Sequence, residues 1–148
     1  MTSDPLVFVD TNVLVYFRDS SDTHKNAIAT KWLRHLAQTR RGRLSTQVLV
    51  ELYAVATHTG KLGLPADAAR ADVESFAAWH PVQPDIELFR RAWNLADRYS
   101  LSWWDAMIVA AALVAGCTTL LSEDLQHGLV IDQTLTITNP FADDAPTP

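Results

Sequence analysis

At 148 residues, with 48% hydrophobic and 20% charged residues, the chain has the composition of one globular domain with enough apolar mass to bury a core. The net charge of −5 argues against holding nucleic acid by charge alone, and no run of 18 apolar residues exists to make a transmembrane helix. The opening stretch MTSDPLVF lacks a basic segment followed by a long apolar one, so no secretory leader is expected, and the lone Cys117 reads as a small buried core residue. One thiol cannot close an internal disulfide, which fits a reducing cytoplasm.

In chain order, LVFV at residues 6–9 reads as a buried strand, being short, continuous and rich in β-formers. TNVLVYF opens a short helix. From Asp22 to Arg41, apolar Ala29, Trp32, Leu33 and Leu36 fall at helical spacing, with Asp22 as N-cap and Gly42 suited to the end. RLST is a brief second strand, followed by a helix over QVLVELYAVATHT that Gly60 closes. PADAARADVESFAAW begins a helix at Pro65 with early acids, HPVQP is extended, and DIELFRRAWNLADRY is a helix capped by Asp85. SWWDAMIVAAALVAG is an almost wholly apolar, central helix. CTTLL and LTIT are strands, SEDLQHG is a loop or turn between them, and residues 142–148 form a loose tail. Short strands alternating with helices give an α/β sandwich, a short, mainly parallel sheet flanked by helices, in one domain over residues 1–148.

Four acids recur at equivalent places in that pattern. Asp10 ends the first strand, Glu51 lies in the first turns of the helix after RLST, Asp105 is in the first turn of the apolar helix, and Asp124 closely follows CTTLL. Parallel sheets bind ligands at the carboxyl ends of their strands, so all four can face one edge. Each has a plain alternative. Asp10 could only cap a helix, Glu51 could face solvent, Asp105 fits a capping box with Ser102, and Asp124 could be a turn residue. The set is what argues for function. Four carboxylates in a cleft repel one another unless something positive intervenes, and no Lys or Arg adjoins any of them in sequence. A hard divalent cation, Mg²⁺ or Mn²⁺, is the natural neutraliser, and such an ion assists hydrolysis of a phosphodiester. Charge is also uneven along the chain. Seven basic residues lie before position 61, and none follows Arg98. The basic stretch to Arg43 could meet RNA or a protein partner, or simply be a solvated face.

VFVDTNVLVY, STQVLVELYAV, LSWWDAMIVAAAL and LLSEDLQHG resemble, in order, the four acidic motifs of the PIN domain, most of all its VapC-type ribonuclease toxins. The resemblance runs from Val7 to about Phe141. It implies a PIN-like α/β/α sandwich and a Mg²⁺- or Mn²⁺-dependent endoribonuclease, the toxin of a toxin–antitoxin pair. It implies Asp10, Glu51, Asp105 and Asp124 as catalytic and metal-binding residues, with Thr11, Asn12 and Ser122 ordering the site. Glu123 competes with Asp124 for the fourth place. An RNA substrate, a cognate antitoxin protein that blocks the site and a homodimer also follow from the resemblance, while the cytoplasmic location is expected from the single thiol. The antitoxin surface is expected around Tyr16, Trp32 and Leu36, and His127 is expected in a loop near substrate. Trp103 and Trp104 could stack a base, although at least one is expected in the core.

Three other readings compete. A haloacid-dehalogenase-like phosphatase wants a second Asp two residues after the first, where this chain has Asn12, and a lysine later than Lys61. A receiver domain wants that late lysine too. A non-catalytic PIN-like binding protein would have little use for four converging acids.

Overall fold

The computed structural model describes residues 4–148; Met1 to Ser3, where the expectation about a leader begins, lie outside the described residues. Five strands form one sheet in the order β2-β1-β3-β5-β4: β1 (Leu6–Val9), β2 (Gly42–Arg43), β3 (Cys117–Leu121), β4 (Val130–Ile131) and β5 (Leu135–Thr138). β1 pairs in parallel with β2 and β3, and β3 in parallel with β5; only β4 runs antiparallel. The continuous apolar run of β1 has its cause here. The strand has neighbours on both edges, and Phe8 and Val9 are fully buried.

Six α-helices surround the sheet: α1 (Thr11–Arg18), α2 (Thr23–Thr39), α3 (Thr46–Thr57), α4 (Ala66–Phe76), α5 (Ile86–Tyr99) and α6 (Trp103–Val114). Ala106 through Ala112 of α6 are all buried. The small alanines let its backbone approach β3, so it has no polar face to show. None of the described helices is long and apolar enough to cross a membrane.

Several boundaries differ from the sequence reading. α2 stops at Thr39, and its left-handed cap is Arg40 (φ 57°) rather than Gly42. Gly42 opens β2 instead. A Cβ at Gly42 would stand 2.2 Å from the Trp79 ring, so the glycine is there for close approach. Gly42→Ala is therefore expected to cost about 1–3 kcal/mol in chemical denaturation, by overpacking Trp79 against Phe76. Ser45, read as part of a strand, makes an isolated bridge to Val82 and caps α3 by accepting from the Val48 amide at 3.3 Å. The fourth helix ends at Phe76 and passes into one 3₁₀ turn, Ala77–Trp79.

β4 escaped the sequence reading. It returns into β5 through Asp132 and Gln133, both at positive φ (50° and 60°), as in a type I′ hairpin turn. Arg98 holds that turn from α5 by pairing with Asp132 at 2.7 Å. Residues 142–148 run back along α2 beside Ala27, Lys31 and Arg34, and Asp144 meets His127 at 3.1 Å.

Candidate active site

The carboxyl end of β1 meets that of β3 where α1 begins. The Asp10 amide donates to the Leu121 carbonyl at 3.0 Å, which seats Asp10 beside the end of β3. Its side chain caps α1 through Oδ1, which accepts from the Thr11 amide at 2.8 Å. The capping alternative is thus true, but it uses one oxygen only. Oδ2 accepts from the Ser122 hydroxyl at 2.8 Å and from Asn12 Nδ2 at 3.3 Å. Asp10 is only 8% exposed. Burial, with the charges of Glu51 and Asp124 adding to it, raises its pKa to about 6, although the Ser122 and Thr11 bonds act to lower it. No Lys or Arg among the described residues pairs with it.

Asn12 and Ser122 join Asp10 to Asp124. Asn12 Nδ2 also donates to Asp124 Oδ2 at 3.2 Å, and its Oδ1 accepts from the Glu123 amide at 3.1 Å. The Ser122 oxygen, fully buried, accepts from the Asp124 amide at 3.1 Å. Thr11 reaches the other way and donates to Glu51 Oε2 at 2.9 Å. All three supporting residues named from the sequence thus touch a candidate acid.

Asp105 arrives on the first turn of α6. Its amide donates to Ser102 Oγ at 3.2 Å, but the reciprocal bond of a capping box is absent among the described residues. Its carboxylate is therefore not consumed by capping. Gln47, unremarked in the sequence, ties this end of α6 to Glu51. Its Nε2 donates to Glu51 Oε1 at 3.3 Å and to the Trp104 carbonyl at 3.4 Å. The four-residue spacing to Glu51 was a legible hint.

Asp10, Glu51 and Asp124 are thus linked in one hydrogen-bonded network, whereas the Asp105 side chain has no hydrogen bond to it among the described residues; the first turn of α6 that carries Asp105 is tied to the network through Gln47. No three His, Cys, Asp or Glu side chains among the described residues form a ready metal cage. The donor chemistry nonetheless fits a hard divalent cation. The candidate donors are all carboxylate oxygens, the buried one carries no cationic partner, and their mutual repulsion is what such an ion relieves.

Glu123 turns away from the cleft. Its carboxylate accepts from Tyr16 Oη at 2.7 Å and pairs with Lys25 Nζ at 2.5 Å. Glu123, with Tyr16, pushes the Lys25 pKa up to about 12. His127 is engaged elsewhere. Its Nδ1 accepts from the Asn139 amide at 2.9 Å, and its Nε2 faces Asp144.

Two of the three residues expected at a partner surface are not exposed. Trp32 and Leu36 are buried, at 7% and 0% exposure, and Phe141 packs edge-on against Tyr16. The exposed apolar surface lies instead beside Glu51. A groove of about 640 Å³ is lined by Val50, Phe89, Trp103, Trp104 and Met107. Trp103 is half-buried against Phe89 and Trp93, while Trp104 is 65% exposed.

The fold has counterparts. The PIN domain family profile matches residues 7–129. Among solved structures, VapC20 of Mycobacterium tuberculosis, a Sarcin-Ricin loop cleaving toxin, is 17% identical, with 80% of this chain and 89% of that chain covered and a TM-score of 0.58. DNA-bound VapBC from Salmonella typhimurium is 20% identical over 90% of this chain and 97% of that one, with a TM-score of 0.60. FitAcB from Neisseria gonorrhoeae is 17% identical over 92% and 99%, with a TM-score of 0.58. No curated protein matches the sequence at a significant level. With the fold, the acidic strand ends and the span of the match in agreement, the chain belongs to the PIN domain family.

Proposed function

We propose that the chain is a divalent-metal-dependent endoribonuclease, the VapC-type toxin of a toxin–antitoxin pair. The observation that carries this reading is Asp10: a buried carboxylate at a strand end, without a cationic partner among the described residues, wired to Asp124 through Asn12 and Ser122. Asp10, Glu51, Asp105 and Asp124 would hold Mg²⁺ or Mn²⁺. When bound, that ion supplies charge stabilisation at the phosphoryl oxygens and acidifies water.

The rest belongs to the chain. Ser122 and Asn12 fix the Asp10 carboxylate, so its orientation is set before any substrate arrives. Thr11 and Gln47 each hold one oxygen of Glu51, which stays partly exposed and able to take a proton from the attacking water. No histidine takes part in this network, and His127 is bonded to the tail, so the 2′-hydroxyl has no imidazole base. Water as nucleophile leaves 5′-phosphate and 3′-hydroxyl ends. The test is incubation of the purified chain with cellular RNA, with Mn²⁺ or with EDTA, followed by end-group analysis. Metal-dependent cuts with 3′-hydroxyl ends are expected; cuts that persist in EDTA or leave cyclic phosphates would overturn the reading.

The solved neighbours include VapBC and FitAcB assemblies and a toxin, which supports a cognate antitoxin as the protein partner. The apolar face of α3, α5 and α6 supports a homodimer. Val50, Trp93 and Trp104 are 69%, 54% and 65% exposed there, which is unusual for a lone domain. Trp104→Glu is expected to convert a dimer to a monomer in sedimentation equilibrium without lowering helical content; a wild-type chain that is already monomeric would remove the dimer from the account.

A further inference from the structure

Glu123 and Asp124 are adjacent acids with opposite commitments. Asp124 is bonded from the cleft side by Asn12 and, through its amide, by Ser122. Glu123 is bonded from the outer side. Lys25 Nζ lies 2.5 Å from its Oε2 and 3.2 Å from Tyr16 Oη, which itself donates to Glu123 Oε1 at 2.7 Å. The ammonium also lies 4.7 Å from the centre of the Tyr16 ring and 5.5 Å from that of Phe141, which packs on Tyr16 at 5.0 Å. The Lys25 and Glu123 side chains are only 29% and 24% exposed, so this pair is better sheltered than the surface pair Arg90–Glu87.

We propose that Lys25 is a positioning residue of the acidic site: with Tyr16 it draws the Glu123 carboxylate outward and so holds Asp124 towards Asp10. The loop from Ser122 to Asp124 joins β3 to the site and is gripped from both sides. Asn12 holds its backbone at the Glu123 amide, the Ser122 hydroxyl braces it from within at the Asp124 amide, and Lys25 grips its outer side chain. Lys25 lies on α2, 98 residues from Glu123, so the basic helix reaches the edge of the site through Glu123.

The metal arm of the test rests on the reading proposed above; the exchange arm does not. Lys25→Ala, Glu123→Ala, the double variant and Lys25→Arg are compared by amide hydrogen exchange at Glu123 and Asp124 in metal-free protein. Mn²⁺ binding by the same proteins is followed from the free-ion EPR signal. Lys25→Met, which keeps the aliphatic stem, stands in if Lys25→Ala melts below the assay temperature. Either single substitution is expected to speed exchange at both amides and to weaken Mn²⁺ binding roughly 5- to 20-fold. The double variant is expected to be no worse than the worse single one, and Lys25→Arg to retain both properties. Unchanged exchange in Lys25→Ala would overturn the proposal. So would tighter Mn²⁺ binding in Lys25→Ala together with none in Glu123→Ala, since that pattern makes Glu123 a ligand. If the wild-type chain binds no Mn²⁺, the metal-dependent reading fails and exchange alone decides the role of Lys25.

Discussion

Asp10→Asn is expected to abolish RNA cleavage, by roughly 10³-fold or more, while making the metal-free protein more stable at neutral pH. The two effects have one origin. In the folded chain the carboxyl titrates at about 6, against 3.8 for the ordinary group, so the folded state binds the proton more tightly than the unfolded state. Stability from this group is therefore full below the ordinary value and is lost as pH rises through about 6. At pH above about 7 the buried charge costs on the order of 3 kcal/mol. Asparagine removes that charge, but it satisfies Ser122 and the Thr11 amide less well. A net gain of roughly 1–2 kcal/mol in urea denaturation follows, shrinking towards about pH 4. Mg²⁺ should stabilise the wild-type chain and leave Asp10→Asn unmoved. A variant that is inactive and also less stable at every pH would make Asp10 a structural cap only.

Ser122→Ala is expected to act in the opposite sense on the same carboxyl. Ser122 is fully buried, and its hydroxyl serves three partners, donating to Asp10 and accepting from Asn12 and the Asp124 amide. Its loss leaves buried polar groups short of partners, at about 1–3 kcal/mol. It also removes the largest influence that holds the Asp10 pKa down, so the carboxyl titrates above its present value of about 6. Carbon-detected NMR of the metal-free protein reads this directly. RNA cleavage at neutral pH should fall roughly 10- to 100-fold, with partial recovery at higher pH as Asp10 ionises. A fall that no rise in pH relieves would show that Ser122 acts by packing alone.

Asp10 was legible in the sequence because a carboxylate within LVFVDTNVLVYF has to be explained. Asp105 and Asp124 became legible through their places after strand and helix signals. Thr11, Asn12 and Ser122 were found by their resemblance to PIN motifs, and the structure supplies the physical reason in shared hydrogen bonds. Gln47 and Lys25 were not found. Lys25 meets Glu123 98 residues away, and no local periodicity reports such a contact; Gln47 stands four residues before Glu51, a local hint, but its tie to the Trp104 carbonyl spans 57 residues. The short strand β4 was missed because its hairpin turn uses Asp132 and Gln133 rather than glycine or asparagine, held by Arg98 from another helix. Trp32 and Leu36 were placed at a partner surface, yet both are buried. Helical spacing marks an apolar face without saying whether the core or a partner will cover it.

The most direct test of the central claim, that these acids share one cation, is an anomalous difference map from crystals of the chain soaked in Mn²⁺. The account predicts a peak bounded by the carboxylates of Asp10 and Asp105, near Glu51 and Asp124 and not at Glu123, which is lost in Asp10→Asn crystals. A well-ordered structure at saturating Mn²⁺ with no peak there, or with the same peak in Asp10→Asn, would contradict it.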